Sequence, residues 1–331
     1  MEKQDQKNHR APKGKKNAVP FWASFLSGGI SGTVGALITC PLEVVKTRLQ
    51  SRQFHHSPTL TSLNPVINFN GHSLTFRILS SPFRQVSGTV SILRTLAVNE
   101  GITALWKGIG ATVVGVMPAR AIYFSAYAKG KQLFGELNGG NESSPIVHLG
   151  AAALAGITTS TATNPIWLIK TRMQLQSSHN ALYRSSLHCL QSIIKTEGFK
   201  ALYKGLGASY LGVIESTMQW VIYEHLKHRL HARNSTVNPI WLDFFGAAAT
   251  AKLIAALIAY PHEVLRTRMR EETNSTTRRY RNIVQTAKLI LKEEGPGAFY
   301  GGMTAHLLRV VPNSAIMFFC YEFLIHTYSK I

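Results

Sequence analysis

The sequence is poor in charged residues, in acids and in cysteines. Charged residues make up 16% of the 331 residues, below the roughly 25% of an average soluble domain, so the chain is either membrane-embedded or unusually apolar. The three cysteines, Cys40, Cys189 and Cys320, have no metal-ligand spacing and cannot all pair. We therefore expect neither a disulfide framework nor a metal site.

The shortage of acids leaves a large positive charge. The 36 lysines and arginines outnumber the 16 aspartates and glutamates by 20, which usually indicates an anionic partner such as nucleic acid, acidic lipid or a phosphorylated metabolite. The cations recur at the ends of apolar segments and singly within them, a distribution that argues against nucleic acid. No serine, cysteine, histidine and carboxylate set is arranged for catalysis, so we expect no enzyme activity and no cofactor.

Two stretches without any Asp, Glu, Lys or Arg point to a membrane. Residues 17–42 and 143–169 each lack these four residue types and are longer than the ~20 residues that cross a bilayer as a helix. Four more apolar stretches are each interrupted by a charge, so a hydropathy scan is expected to undercount the spans. Residues 1–17 lack an apolar core for a secretory signal and are interpreted as a basic, disordered tail.

A ten-residue signature occurs three times, each time at the end of an apolar stretch. Its prolines are Pro41, Pro165 and Pro261. Each copy is followed by a Glu-Gly pair and an aromatic turn, and the glutamates of successive pairs are 97 residues apart. Such a period indicates that one supersecondary unit is used three times.

The repeat predicts an all-α membrane protein with six transmembrane helices in three pseudo-symmetric units. Each unit comprises a long apolar helix, a polar connection, a short amphipathic helix and a second long helix. The predicted units are 18–135, 143–232 and 238–329, the first with a loop insertion at about 54–84. The predicted spans are 20–48, 109–132, 145–173, 207–230, 240–269 and 304–328, and the short helices lie near 87–99, 184–196 and 281–293. The shared direction of the units puts both termini on one side and the short helices on the other.

The signature carries chemistry as well as shape. Its prolines are expected to kink three helix ends towards a common axis. The residues two and five positions after the prolines are Glu43 and Lys46, Trp167 and Lys170, and Glu263 and Arg266. An acid and a base three apart can form a local pair on one helix face, but the threefold repetition favours pairs between neighbouring helices in a closing ring. Trp167 replaces one acid, and its indole can cap the third base by a cation–π contact.

Each second long helix has one charge in mid-span, namely Arg120, Glu215 and Arg309. A charge at that depth is costly against lipid, so these side chains are expected to face a watery interior as candidate substrate ligands. A buried ion pair, such as Glu215 with an arginine, is the structural alternative. Guanidinium groups match phosphate oxygens in bidentate fashion, whereas Glu215 can accept from a base amine or a ribose hydroxyl, or relay a proton.

The three signatures resemble that of the mitochondrial carrier family, P-x-[DE]-x-x-[KR]-x-[KR], and the resemblance extends over residues 20–328. It implies a monomeric carrier in the inner mitochondrial membrane, with both termini toward the intermembrane space and one central site that opens alternately to cytosol and matrix. The charged signature residues are then a matrix-side gate, braced by Gln50 and Gln174, while Arg270 departs from the family's glutamine. The aromatic turns at Trp106, Tyr203 and Tyr300 resemble helix starts that bind cardiolipin.

The family's second ring, [FY]-[DE]-x-x-[KR] on the even helices, is incomplete here. It retains Lys131, Glu224, Lys227 and Glu322. Pairing Lys131 with Glu224, and Lys227 with Glu322, leaves no charge unpaired. Pairing in the opposite direction around the ring leaves two charges unpaired. The resemblance implies a cytosolic-side gate, and a solvated face is the alternative.

The residues around Arg120 and Glu215, together with Trp167, resemble the pyrimidine nucleotide branch of the family. This implies exchange of nucleotides such as UTP, CTP and dTTP. The further substrate contacts implied at mid-depth are Gly115, Gly212 and Val310, with Lys252 as a weaker candidate because its register matches packing residues. A carrier of NAD, FAD or folate-type cofactors and a non-transporting membrane adaptor are the alternatives.

Overall fold

The computed structural model describes residues 21–52, 82–176, 181–233, 241–271 and 279–330, and the regular structure within them is helical. The predicted basic tail at 1–17 and most of the predicted insertion at 54–84 lie outside the described residues. The final residues of that insertion were predicted wrongly, because a helix begins at Pro82.

Ten α-helices follow one another in three similar groups within the described residues. The first group is α1 (Phe21–Gln50), α2 (Pro82–Glu100) and α3 (Ile109–Leu137). The second is α4 (Pro145–Leu175), α5 (Ser186–Glu197) and α6 (Leu206–Arg233). The third is α7 (Trp241–Ala259), α8 (Pro261–Arg270), α9 (Ile283–Glu293) and α10 (Met303–Lys330). A 3₁₀ turn precedes the last helix of each group, at Ile102–Trp106, Phe199–Tyr203 and Pro296–Tyr300.

The three signature prolines act differently on their helices. Pro41 and Pro165 lie inside the continuous helices α1 and α4. Pro261 begins α8 after α7 has ended at Ala259, as expected of a residue that lacks an amide hydrogen and clashes with the preceding turn. The predicted span over 240–269 is therefore divided into α7 and α8 at Tyr260, next to the proline at which a kink was predicted.

Glycine ends the short helices at the Glu-Gly markers. Gly198 follows α5 with φ 78°, a conformation that costs a residue with a Cβ atom but not glycine. Gly101 and Gly295 have φ values of 86° and 80° at the equivalent points. This repeated reversal directs the chain from each short helix into the 3₁₀ turn and the next long helix.

The long helical segments close into a ring. α3 packs along α4, α6 along α7, and α10 returns to pack along α1. Among the described residues, three helical stretches are long and apolar enough to cross a membrane, namely Leu26–Gln50, Ile102–Leu137 and Pro145–Leu175, and Gly246–Ala259 is a shorter apolar helix. The all-α class is confirmed, while the count of six spans stays a prediction.

An apolar cluster anchors each signature to its short helix and turn. In the first repeat Val45 packs with Ile92 and Leu105. The equivalent clusters contain Leu168, Ile193 and Leu202 in the second repeat, and Val264, Ile290 and Ala298 in the third. Every one of these nine side chains is at most 5% exposed, so three similar supports position the three signature ends.

Candidate functional site

Two adjoining cavities lie inside the ring of helices. Their volumes are about 490 and 930 Å³, and both are lined by Arg309. Arg120 lines the smaller cavity, whereas Glu215 and Lys252 line the larger one. The three mid-span charges singled out in the sequence therefore all face the interior.

Arg120 lies across the glycine face of α1. A methyl group built on Gly32 would lie 3.0 Å from Arg120 Nη2, and one built on Gly28 would lie 3.6 Å from Nη1. Within the described residues Arg120 has no hydrogen bond or ion pair. The two glycines therefore make room for a guanidinium group as well as for close helix packing, and that group is left available to an anionic ligand.

Glu215 already has a cationic neighbour. Lys252 Nζ lies 2.7 Å from Glu215 Oε1, with the two side chains 32% and 12% exposed. The alternative of a buried ion pair is thus present, but with a lysine of α7 and not with an arginine. Lys252, the weaker candidate in the sequence, is brought into the cavity by this contact.

Arg309 connects the cavities to the signature residues. Its Nη1 lies 3.7 Å from Glu43 Oε1, beyond hydrogen-bond distance. Its Nε is buried and has no hydrogen-bond partner among the described residues. Arg309 therefore retains donors for a ligand in either cavity.

The lining of the cavities is strongly positive. It contains seven cationic side chains and three carboxylates, an excess of four positive charges with histidines counted as neutral. Fixed charges of one sign in a partly enclosed space raise the local concentration of counter-charged solutes. The arrangement is suited to a small polyanion.

The three smaller candidates are divided by the structure. Gly212 and Val310 line the larger cavity. Gly115 is buried in α3, and a methyl group on it would lie 2.9 Å from Ile166 Cγ2. Its missing side chain therefore serves the contact of α3 with α4, and the structure does not bring it to either cavity.

The charged signature residues form ion pairs between helices of different repeats. We call Glu43, Lys46, Trp167, Lys170, Glu263 and Arg266 the signature ring. Lys170 Nζ lies 2.7 Å from Glu43 Oε1, and Lys46 Nζ lies 2.5 Å from Glu263 Oε2. All four side chains are at most 16% exposed. Of the two interpretations of the spacing, the structure has the interhelix pairs at these positions.

The part of the signature ring in which Trp167 replaces an acid differs from the prediction. The Trp167 ring centroid lies 5.1 Å from Lys170 Nζ, so the indole contacts the base of its own helix and not Arg266. Arg266 lies 3.8 Å from Glu263 on the same helix, which is the local pairing. Trp167 is held in place because its Nε1 donates to Thr163 Oγ1 at 2.9 Å.

The residues nine positions after the prolines lie just behind the signature ring. Gln50 Oε1 accepts from Thr267 Oγ1 at 2.7 Å, and Gln174 Oε1 accepts from Thr47 Oγ1 at 2.9 Å. Arg270 Nη2 donates to Asn164 Oδ1 at 2.7 Å. All three, including the arginine, contact a neighbouring repeat.

The even-helix ring of Lys131, Glu224, Lys227 and Glu322 is arranged differently. Lys131 Nζ lies 3.3 Å from Glu142, and Lys227 Nζ lies 3.7 Å from Glu224 on its own helix. The predicted Lys131–Glu224 pair is not formed in this structure, because both side chains have nearer partners. The side chain of Glu322 lies outside the described residues, so the predicted Lys227–Glu322 pair stays a prediction.

Three buried arginines at the closed end were missed in the sequence. Arg48, Arg172 and Arg268 are at most 2% exposed. They pair with the glutamates of the Glu-Gly markers, Glu100, Glu197 and Glu294, at Nη2–Oε2 distances of 2.8, 3.0 and 2.6 Å. The signal was present, because an arginine stands seven residues after each proline, but the sequence does not say which glutamate it reaches.

Glu197 receives a second cation from Lys204. Burial disfavours the ionised carboxyl, but hydrogen bonds and charges from Arg172 and Lys204 outweigh burial and lower the pKa of Glu197 to about 2. The carboxylate therefore stays ionised at any physiological pH, and its pairing ties the end of α5 to the end of α4.

A second group missed in the sequence is a row of aromatic rings in the larger cavity. Tyr123 and Tyr127 stack with centroids 6.3 Å apart, and Tyr127 Oη lies 2.7 Å from His148 Nδ1.

His262, inside the third signature, also has a partner, because its Nδ1 donates to Ala259 O at 2.5 Å. Both histidines are thus hydrogen-bonded, as expected of structural residues.

The sequence is similar to one protein family and to several known proteins. The family described as "Mitochondrial carrier protein" matches residues 17–138, 141–234 and 238–331. The mitochondrial carrier protein rim2 of Schizosaccharomyces pombe is 44% identical, with 96% of this chain and 91% of that protein aligned. The mitochondrial pyrimidine nucleotide transporter RIM2 of Saccharomyces cerevisiae is 40% identical, with 94% and 87% aligned. Solute carrier family 25 member 36 of Gallus gallus is 42% identical, with 91% and 95% aligned.

Proposed function

Because the chain belongs to the mitochondrial carrier family, we propose that it transports pyrimidine nucleotides across the inner mitochondrial membrane. The similarity to a pyrimidine nucleotide transporter over 94% of the chain supports this substrate class. The nucleotides meant are those of the UTP, CTP and dTTP type, exchanged without covalent chemistry.

One observation carries the proposal at the level of the site. Arg120 and Arg309 line one cavity, and neither has a hydrogen-bonded carboxylate among the described residues. Two guanidinium groups in a partly enclosed space are suited to the phosphate oxygens of a nucleotide. Lys252 and Glu215, Gly212 and Val310 line the adjoining larger cavity, where the base and ribose would lie.

The two rings act as gates in this proposal. Closure of the signature ring, with its pairs at 2.5 and 2.7 Å, leaves the substrate open to the side of the even-helix ring. When the signature ring opens, Lys131 would exchange Glu142 for Glu224, and Lys227 would reach Glu322. Gln50, Gln174 and Arg270 would then release their interhelix contacts.

The orientation follows from the family. We place the signature ring and the short helices on the matrix side, with both termini toward the intermembrane space. The turns at Trp106, Tyr203 and Tyr300 stand before α3, α6 and α10, where free amide groups at helix starts would bind cardiolipin phosphates. The carrier is proposed to work as a monomer.

Uptake by proteoliposomes tests the substrate class. Vesicles containing the purified protein and internal UTP are given labelled UTP, dTTP, ATP or NAD at equal concentration. We expect uptake of the pyrimidine nucleotides to exceed that of ATP and NAD at least tenfold. Equal uptake of ATP or NAD would overturn the pyrimidine assignment, and no uptake of any of them by folded protein would favour the adaptor alternative.

Substitution of the two arginines tests the site. Arg120→Ala and Arg309→Ala are each expected to abolish uptake, since each removes two or more donors from the phosphate end of the cavity. Lys195→Ala, on the exposed face of α5, removes a positive charge outside the cavity and should leave uptake unchanged. Normal rates in both arginine variants would contradict the assignment.

A further inference from the structure

Two further positions in each repeat lie on either side of the signature ring, one directly before the proline and one nine residues after it. The pre-proline residues are Cys40, Asn164 and Tyr260. The brace residues, nine positions after the prolines, are Gln50, Gln174 and Arg270. By the threefold order, each brace residue faces the pre-proline residue of a neighbouring repeat.

Two of the three interfaces have a hydrogen bond between these positions. Gln50 Nε2 of the first repeat donates to Tyr260 Oη of the third at 3.0 Å. Arg270 Nη2 of the third repeat donates to Asn164 Oδ1 of the second at 2.7 Å and to Ser209 Oγ at 3.1 Å. The side chains differ, but the positions and the direction of donation are the same.

The pre-proline residue passes the connection on to its own repeat. Tyr260 Oη donates to Gly301 O at 3.0 Å, and Asn164 Nδ2 donates to Leu202 O at 2.8 Å. Both carbonyls belong to the turn that leads into the second long helix. Tyr260 and Asn164 are at most 1% exposed, so each links a brace, a signature end and a turn without access to water.

The third interface lacks this link. Gln174 is 2% exposed and has a buried Nε2 without a partner among the described residues. The pre-proline residue at the equivalent position is Cys40, which is fully buried and whose thiol is a weak donor and acceptor. If the amide oxygen and nitrogen of Gln174 are exchanged, the nitrogen donates to Thr47 Oγ1, whose own proton goes to Glu43 O at 2.9 Å, and the oxygen is then the buried atom without a partner.

We propose that the pre-proline residue is the relay that locks each brace when the signature ring is closed, and that Cys40 leaves the interface between the first and second repeats without its relay. A buried polar atom left without a partner costs the desolvation of that group, so the missing relay destabilises the closed state at this interface relative to one in which the relay is present. The inference rests on the proposed role of the signature ring as a gate.

Double-mutant cycles on thermal stability test the two intact relays. Tyr260→Phe keeps the ring and removes the hydroxyl, and it should lower the melting temperature by about 2–4 °C. In a Gln50→Ala background the same substitution should have at most half of that effect, because its partner is gone. Equal shifts in both backgrounds would overturn the relay, since a purely structural tyrosine would not depend on Gln50.

The missing relay is tested by building it. Cys40→Ala should lower the melting temperature by about 1–3 °C, because it removes a buried sulfur atom but no hydrogen bond found among the described residues. Cys40→Asn, which copies the second repeat, should raise it by about 2–4 °C and slow uptake severalfold, and Cys40→Ser supplies a smaller acceptor if asparagine does not fit. Both gains should vanish with Gln174→Ala. No gain from either substitution, or a gain that persists with Gln174→Ala, would contradict the proposal.

The stability measurement does not depend on which nucleotide is carried. Failure of the relay would leave pyrimidine uptake as measured, and failure of pyrimidine uptake would leave the melting temperatures as measured. The two proposals are therefore separable in one set of variants.

Discussion

The signature ring and the even-helix ring use the same residue types with different results. In the signature ring, lysines reach carboxylates of other repeats at 2.5 and 2.7 Å, and the paired side chains are at most 16% exposed. In the even-helix ring, the nearest pairs are 3.3 and 3.7 Å long and the side chains are 31–50% exposed. One end of the helix ring is therefore closed by ions out of water, and the other end is open.

The difference shows that an ion-pair motif does not by itself fix a gate. Exposed pairs contribute about 0–1 kcal/mol, whereas removing one partner of a buried pair costs about 3–5 kcal/mol. The energy of the closed end thus depends on the surrounding apolar clusters and braces, which exclude water from the same charges.

The largest effect is expected at the carboxylate that two cations approach. Glu263 lies 2.5 Å from Lys46 and 3.8 Å from Arg266. Glu263→Gln leaves the buried Lys46 unpaired and should lower the free energy of unfolding by about 3–5 kcal/mol, measured by thermal unfolding in detergent. Glu224→Gln in the open ring is the matched control, with an expected change below about 1 kcal/mol. Equal losses would erase the distinction between the rings.

The pH dependence of stability tests the arginine–glutamate pairs that lie behind the signature ring. Because the pKa of Glu197 is lowered to about 2 in the folded protein, its stabilisation is present above the ordinary value near 4.5 and is lost as the pH falls from there toward 2. Glu197→Gln should cost about 2–3 kcal/mol at pH 7, and the gap to the parent protein should narrow below pH 4.5. A gap of constant size from pH 7 to pH 3 would show that the pairing with Arg172 and Lys204 does not stabilise the fold.

A third acid in the signature ring should increase the difference in stability between the two rings. Trp167→Glu supplies the carboxylate that the ring pattern pairs with Arg266, whose ion pair among the described residues is the local one with Glu263 at 3.8 Å. We expect a rise in melting temperature of about 1–3 °C and slower uptake, because the closed end is held more firmly. Trp167→Gln lacks the charge and controls for loss of the indole, and the same behaviour in both variants would contradict the pairing.

The smallest change in stability is expected in the open ring. Lys131→Gln removes an exposed pair with Glu142 and should change the free energy of unfolding by less than about 1 kcal/mol. Uptake should nevertheless slow, because Lys131 is needed when this end closes. Unchanged uptake would show that Lys131 is only a solvated residue.

Much of this architecture could be predicted from the sequence because it is repeated. The three signatures predicted the helix order and the choice of interhelix over local pairs, and a single copy would have left both ambiguous. The interior position of Arg120, Glu215 and Arg309 was predicted from the cost of a mid-span charge against lipid. Repetition acts as an internal comparison that a lone motif lacks.

The remaining contacts depend on distances that spacing does not determine. Trp167 turned to Lys170 because the indole is fixed by Thr163 on the same helix. Lys252 was ranked low for sharing a packing register, yet its long side chain reaches Glu215. The sequence predicted a kink at all three signature prolines but not that the helix is interrupted only at Pro261, while Pro41 and Pro165 lie inside continuous helices.

The position of Arg120 against Gly28 and Gly32 has a consequence for the transport cycle. The guanidinium rests on a helix to which it does not belong, so sliding of α1 past α3 changes how far the group reaches into the cavity. Affinity for the ligand and the relative placement of these two helices are thereby thermodynamically linked. A bound anion that pulls the Arg120 guanidinium away from Gly28 and Gly32 would itself favour a different placement of α1 against α3.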